Sequence, residues 1–132
     1  MSSVMSIAIS GMMAAQKRLE VSTSNVANVS TTGPLDAAPD DVRAAYAALR
    51  ADQTETAGGG TAVKVSRASP ATSTVSDPGS SFANADGLVA APAVDLTNEA
   101  VQQLVARYSF AANAAVIRAE DKMMKSLFDL KI

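Results

Sequence analysis

The run DLTNEAVQQLVARYSFAANAAVIRAEDKMMKSLFDLKI, residues 95–132, contains neither glycine nor proline. It opens on Asp95, three residues after Pro92, and aspartate is a good helix N-cap because its oxygen accepts from the free amides of the first turn. Val101, Val105, Tyr108, Ala112, Val116, Ala119, Met123, Leu127 and Leu130 follow at steps of 4, 3, 4, 4, 3, 4, 4 and 3, with Leu104 beside them. That is the spacing of one face of an α-helix. The pattern repeats every eleven residues, so Val101, Ala112 and Met123 are equivalent, and the period is about 3.67 residues. As one helix, residues 96–130 would be about 52 Å long. A compact domain of this chain length is only about 36 Å across. The helix outruns any globule the chain could build. Its stripe needs the other end of the chain alongside, and neighbouring subunits as well.

The other end supplies a matching element. Residues 1–30 hold no proline and one glycine, Gly11. Met5, Ala8, Met12, Ala15, Leu19, Val26 and Val29, with Ser22 in the remaining slot, alternate steps of three and four, the seven-residue repeat of a helix packed along a seam. Residues 5–30 would span about 39 Å. Thr31-Thr32-Gly33-Pro34 then ends the helix, with glycine as the stop and a proline that cannot continue it. Periods of 3.5 and 3.67 imply opposite supercoils, so two nearly straight helices are expected.

Between them, residues 34–94 hold all five prolines and six of the seven glycines. Gly58-Gly59-Gly60 marks a turn before Thr61-Ala62-Val63-Lys64-Val65-Ser66, a short strand. Asp77-Pro78-Gly79 and Asp86-Gly87 are further turn signals. Val42, Tyr46 and Leu49 sit at helical spacing, yet their run leads into the glycine turn and suits a hairpin equally. The expected fold is mainly α: long terminal helices packed as a coiled-coil-like pair (1–33 and 95–132), with an irregular or β-hairpin middle (34–94).

Composition narrows the function. Of the 132 residues 48% are hydrophobic, but 27 residues are alanine and only five are aromatic, so the core is thin. Eleven basic and thirteen acidic residues give a net charge of −2, without the basic footprint of a nucleic-acid partner. Cysteine and histidine are absent, which removes thiol chemistry, the commonest general base and the commonest zinc ligand. Asp40–Asp41 and Glu120–Asp121 are sequence neighbours, which on a helix point about 100° apart. Gly58-Gly59-Gly60 lacks the Gly-Lys-Ser/Thr of a phosphate loop. Setting Asn84-x-Asp86-Gly87 on the calcium-loop pattern puts Phe82 first and Ala93 twelfth, and neither side chain can ligate. No enzyme, cofactor, metal or small-molecule substrate is expected. The first sixteen residues carry no charge, so no basic residue precedes the apolar run as in a cleaved signal, and their serines argue against a membrane span.

The two ends together carry a resemblance. Met5-Ser6-Ile7-Ala8-Ile9-Ser10-Gly11-Met12, Ala15-Gln16-Lys17-Arg18-Leu19 and Asn25-Val26-Ala27-Asn28-Val29-Ser30-Thr31-Thr32-Gly33 resemble the N-terminal signature of bacterial flagellar rod and hook proteins. Val94-Asp95-Leu96 with Glu99, Tyr108 and Ala112-Asn113-Ala114-Ala115-Val116-Ile117 resemble the C-terminal signature. Asp77-Pro78, Asn84-Ala85-Asp86-Gly87-Leu88-Val89 and Pro92 are similar to the short form of the proximal rod, while the Ala- and Asp-rich stretch 35–43 departs from the Tyr-Arg-type run expected there.

The resemblance implies a structural subunit of the basal-body rod, exported without signal cleavage by the flagellar type III apparatus and assembled across the periplasm. Its implied partners are itself, other rod proteins, and ring and export components. The interface expected from the two seams is Met5, Ala8, Met12, Ala15, Leu19, Val26, Val101, Leu104, Val105, Tyr108, Ala112, Val116, Ala119, Met123, Leu127 and Leu130. Asn25, Asn28 and Asn113 join it as polar members. Asn25 and Asn28 either bond between subunits or help end a helix; Asn113 either sets register or is solvated. Met13, off the seam, is assigned to a second neighbour. The alternatives are another rod component, or a soluble helical export chaperone or adaptor that uses the same stripes.

Overall fold

A computed structural model describes residues 3–38 and 41–130. Pro39, Asp40 of the Asp40–Asp41 pair, and the last two residues of the C-terminal segment lie outside the described residues. In chain order the elements are α1 (Ser3–Asn28), β1 (Leu49–Glu55), β2 (Thr61–Arg67), β3 (Thr72–Ser76), β4 (Leu88–Pro92) and α2 (Leu96–Asp129). No helix among the described residues is long and apolar enough to cross a membrane. The two terminal helices are as the periodicity predicts. The middle holds two hairpins, β1–β2 and β3–β4, where the sequence suggested one.

The chain forms two compact units, and α1, α2 and the first hairpin contribute to both. The first comprises residues 3–20, 51–64 and 102–130 of those described. Its buried apolar side chains are Ala8, Ala14, Ala15 and Ala106. The hairpin reaches α1 through its turn: Ser10 Oγ accepts from the Thr61 amide at 3.0 Å and donates to the Ile7 carbonyl at 2.7 Å. Gly58, Gly59 and Gly60 all take positive φ (94°, 88° and 96°), the region open to glycine.

The second unit comprises residues 21–38, 41–50 and 65–101. Val89 at its centre is fully buried, with Val21, Ala45 and Ala48 also inside. β3 and β4 pair antiparallel from Thr72↔Pro92 to Ser76↔Leu88, and Gly33 bridges Ala90 on the other side of β4. The reason for glycine at 33 differs from the expected helix stop. Its φ is not positive; a Cβ there would collide with the Arg43 carbonyl and the Ala45 amide. Asn84 organises the β3–β4 turn, its Oδ1 accepting from the amides of Asp86 and Leu88, both at 2.9 Å.

Val42, Tyr46 and Leu49 do not share a helix. Val42 is fully exposed and Leu49 begins β1. An eight-residue stretch closes too few turns to offset the cost of helix nucleation, and Arg43 instead ties back to Asp41, Nη2 to Oδ2 at 2.8 Å. Asp95 caps α2 as expected, accepting from the Thr97 and Asn98 amides at 2.8 and 3.3 Å.

Candidate assembly surface

The face that α2 turns to α1 is not its apolar stripe. Within the first unit Arg18 Nη2 donates to Gln102 Oε1 at 2.9 Å, and Gly11 lies against the Asn113 side chain. These pairings run in opposite directions along the two helices, so the segments are antiparallel. Ala106, on the same row as Gln102 and Asn113, is 1% exposed. A groove of about 330 Å³ lies beside this seam, lined by Ala15, Gln16, Leu19, Ala106, Arg107 and Phe110. Within the second unit Ser22 Oγ donates to the Glu99 carbonyl at 3.2 Å and Asn25 Nδ2 to Glu99 Oε1 at 2.7 Å.

In the first unit the seam is Gly11, Ala15 and Arg18 on α1 against Gln102, Ala106 and Asn113 on α2; in the second, Ser22 and Asn25 meet Glu99. Small residues let two helix backbones approach closely, which Val, Leu and Met would prevent. At 100° per residue the apolar stripe sits roughly a quarter turn away from this row. Val101, Leu104, Val105, Tyr108, Ala112, Val116, Ala119, Met123, Leu127 and Leu130 are all exposed, Tyr108 to 74% and Leu130 to 81%. The expectation that α1 helps cover the stripe is corrected. Asn113 belongs to the inner row, its Nδ2 donating to the Ser109 carbonyl at 2.8 Å.

On α1, Ala8 and Ala15 are buried in the chain, Met5, Met12 and Leu19 are half-buried, and Val26 is exposed. Asn28 is half-buried and donates to the Ser24 carbonyl of its own helix at 2.8 Å. Asn25 is 2% exposed. Its Nδ2 also donates to the Leu49 carbonyl at 2.9 Å; its Oδ1 accepts from the Leu49 amide at 2.9 Å and from the Tyr46 hydroxyl at 3.1 Å. With two N–H groups and two lone pairs all engaged inside the chain, Asn25 cannot serve as an inter-subunit donor. It is an internal junction.

Two sets of exposed apolar residues escaped the periodicity. Val4, Ile7, Ile9 and Met13 are exposed on α1, Val4 and Ile7 on one side of it and Ile9 and Met13 on the other, and Met124 and Phe128 are exposed near the end of α2 on the row of Ala106 and Asn113 rather than on the stripe. From Asp121 to Leu130 every residue is exposed, whichever way it faces.

Comparison with known proteins identifies the family. The family described as "Flagella basal body rod protein" matches residues 5–34. The flagellar basal-body rod protein FlgC of Salmonella typhimurium is 34% identical over 122 residues, covering 92% of this chain and 90% of that protein. The chain belongs to the FlgC family of flagellar basal-body rod proteins. FlgC of Yersinia enterocolitica and FlgC of Escherichia coli O6:H1 are each 33% identical over the same share of both chains. The likeness to FlgC thus extends well beyond the N-terminal signature, through both hairpins and into α2. The missed members Ile7 and Ile9 had a signal available, since they lie inside the N-terminal motif itself.

Proposed function

We propose that this chain is a structural subunit of the proximal part of the flagellar rod, joined to its neighbours through the outer stripe of α2 and the exposed side of α1. The carrying observation is the stripe itself: large apolar side chains along the length of α2, ending in turns exposed on every side. Covering one Val, Leu or Met contributes about 1.5–3 kcal/mol. Association costs about 4–15 kcal/mol in lost freedom. Most stripe side chains are about half exposed, so covering each supplies roughly half of its full value, and a neighbour must cover most of the stripe to offset the cost.

In this reading Val101, Leu104, Val105, Tyr108, Ala112, Val116, Ala119, Met123, Leu127 and Leu130 form one interface. Met5, Met12, Leu19 and Val26 contribute from α1 where they are open, and Met13 meets a second neighbour. Segments 1–33 and 95–132 build the rod and segment 34–94 forms its outer extension. The subunit reaches the periplasm through the flagellar export apparatus without a cleaved signal, and its partners are copies of itself, other rod proteins and ring components.

The test is complementation of a deletion strain, with basal bodies purified and viewed by electron microscopy. The wild-type chain restores rod and hook, whereas Val116→Asp and Leu127→Asp leave rings without a rod although the purified variants keep wild-type helicity. Rods of normal length with both variants would remove the stripe from the interface. Cytoplasmic retention without co-purification with basal bodies would favour the chaperone or adaptor reading.

A further inference from the structure

We propose that the outer edge of β3 is an open site for strand addition, and that an extended, uncharged segment of another rod protein pairs with it. Gly33 sets the phase of this sheet. It exchanges both backbone bonds with Ala90, at 3.0 and 2.9 Å. On β4 the backbone groups of Val89 and Ala91 therefore turn the other way, to Val75 and Ser73 of β3. The bonds at the two ends, from the Ala93 amide to the Ala71 carbonyl and from the Asp77 amide to the Gly87 carbonyl, keep the same phase. The N–H and C=O groups of Thr72, Thr74 and Ser76 thus point away from β4. Among the described residues none bonds to them there, and all five side chains of β3 are exposed.

A bare strand edge is a template for another strand, and proteins usually blunt it with charge, proline or a bulge. This edge has none of these. Thr72-Ser73-Thr74-Val75-Ser76 is uncharged and rich in residues that favour extended backbone, and it pairs one to one with β4. The first hairpin differs, with Arg50, Asp52 and Glu55 on β1 and Lys64 and Arg67 on β2. The edge also states what fits it. It offers backbone groups at alternate residues, so its partner is an extended segment without proline at the facing positions. A second copy of this chain is the wrong source. The far side of β4 is taken by Gly33, and Pro92 at its end has no N–H. The strands of the first hairpin are charged, which leaves β3 to meet β3. That pairing is two-fold and sets two copies head to head, whereas subunits along a rod repeat one contact head to tail. The choice of a rod protein as the source rests on this chain being a rod subunit; the openness of the edge does not.

The experiment follows amide hydrogen exchange in the purified full-length chain and in basal bodies from the complemented deletion strain. In the purified chain the amides of Thr72, Thr74 and Ser76 exchange fast, while those of Ser73 and Val75, bonded to β4, are slow. In basal bodies the three outward amides slow by about tenfold, which is the expected result. Two variants separate backbone from side-chain docking. Thr74→Pro removes an outward N–H that the fold does not use. It lowers incorporation into basal bodies by about tenfold at a near-wild-type melting temperature. Thr74→Ala keeps the N–H and incorporates like wild type. Since the chain has no cysteine, Thr74→Cys carries a single-site photo-cross-linker, expected to join an uncharged segment of another rod protein. Unchanged exchange of the three amides in basal bodies overturns the proposal, and this arm needs no variant should Thr74→Pro melt early. Equal losses for Thr74→Pro and Thr74→Ala overturn it as well, as does a cross-link between two copies at position 74. If the wild-type chain is absent from basal bodies, the rod reading falls and this partner with it. If the chain is present there with unprotected amides, the edge alone is lost.

Discussion

Replacing Gly11 by alanine adds one methyl group where α1 runs nearest to Asn113. A Cβ at that position would stand 2.6 Å from Asn113 Oδ1 and 2.7 Å from both Cγ and Nδ2, where about 3.5 Å is the comfortable separation. All the end atoms of the asparagine are too close, so its whole side chain must swing away. Doing so breaks its 2.8 Å bond to the Ser109 carbonyl, a loss of about 1 kcal/mol; overpacking of the seam brings the total to about 2 kcal/mol. Alanine in a helix interior returns about 1 kcal/mol over glycine. The net expectation is destabilisation by about 1 kcal/mol. In an Asn113→Ala background the obstruction is gone, only the helix preference remains, and the same change stabilises by about 1 kcal/mol. The sign inverts, with a coupling of about 2 kcal/mol between the two sites. Urea unfolding followed by circular dichroism at 222 nm, on the parent, both single variants and the double, measures it directly. An equal midpoint shift for Gly11→Ala in both backgrounds would refute the close approach of the helices at this point.

The glycine turn of the first hairpin should respond unequally along its length. Gly58→Ala, with φ of 94° and nothing nearby, costs only the backbone strain, about 1 kcal/mol. Gly60→Ala adds a contact 2.6 Å from Ser10 Oγ, should cost about 2–3 kcal/mol, and should speed hydrogen exchange at the Thr61 amide; equal costs at the two positions would contradict the anchoring of the turn on Ser10. In the second unit, the side-chain and backbone hydrogen bonds from Arg43 push the Asp41 carboxyl down to about 2 from its ordinary 3.8. Its folded value is depressed, so the stabilising contribution is complete above the ordinary value and is lost as pH falls through about 2. Carboxyl-detected NMR titration should place the Asp41 midpoint there, and Arg43→Ala should raise it.

Much of the helical framework was readable because glycine and proline are concentrated in the middle of the chain, leaving long uninterrupted runs at both ends. The α2 cap was readable for a chemical reason, since Asp95 has an acceptor where free amides need one. What periodicity could not supply is the face of α2 that meets α1. A search for apolar rows finds Ala15 and Ser22 on α1 and Val101 to Leu130 on α2, but passes over the α2 residues that meet α1: Gln102, Ala106 and Asn113 in the first unit and Glu99 in the second. The sequence singles out Asn25 as an inter-subunit contact or a helix-end residue, but nothing in its local sequence announces Leu49, Tyr46 and Glu99 as partners. β3 was also unreadable in advance. Its residues Thr72 to Ser76 are all exposed, and the strand exists because β4 offers it a ladder of backbone bonds. For the stripe, the residues were legible and their orientation in the folded chain was not.

The alanines at the centre of both units place an uneven restriction on how this interior can change. Ala8, Ala14, Ala15 and Ala106 in one unit, and Ala45 and Ala48 in the other, are nearly solvent-free. A buried leucine can be trimmed in several steps, each leaving a larger hole, whereas a buried alanine has only its methyl to lose. Any enlargement instead drives atoms into occupied space, at about 1–3 kcal/mol for each side chain. Random mutation at these codons mostly enlarges the side chain, so harmful changes there will arise chiefly through crowding. The interior is closed to growth.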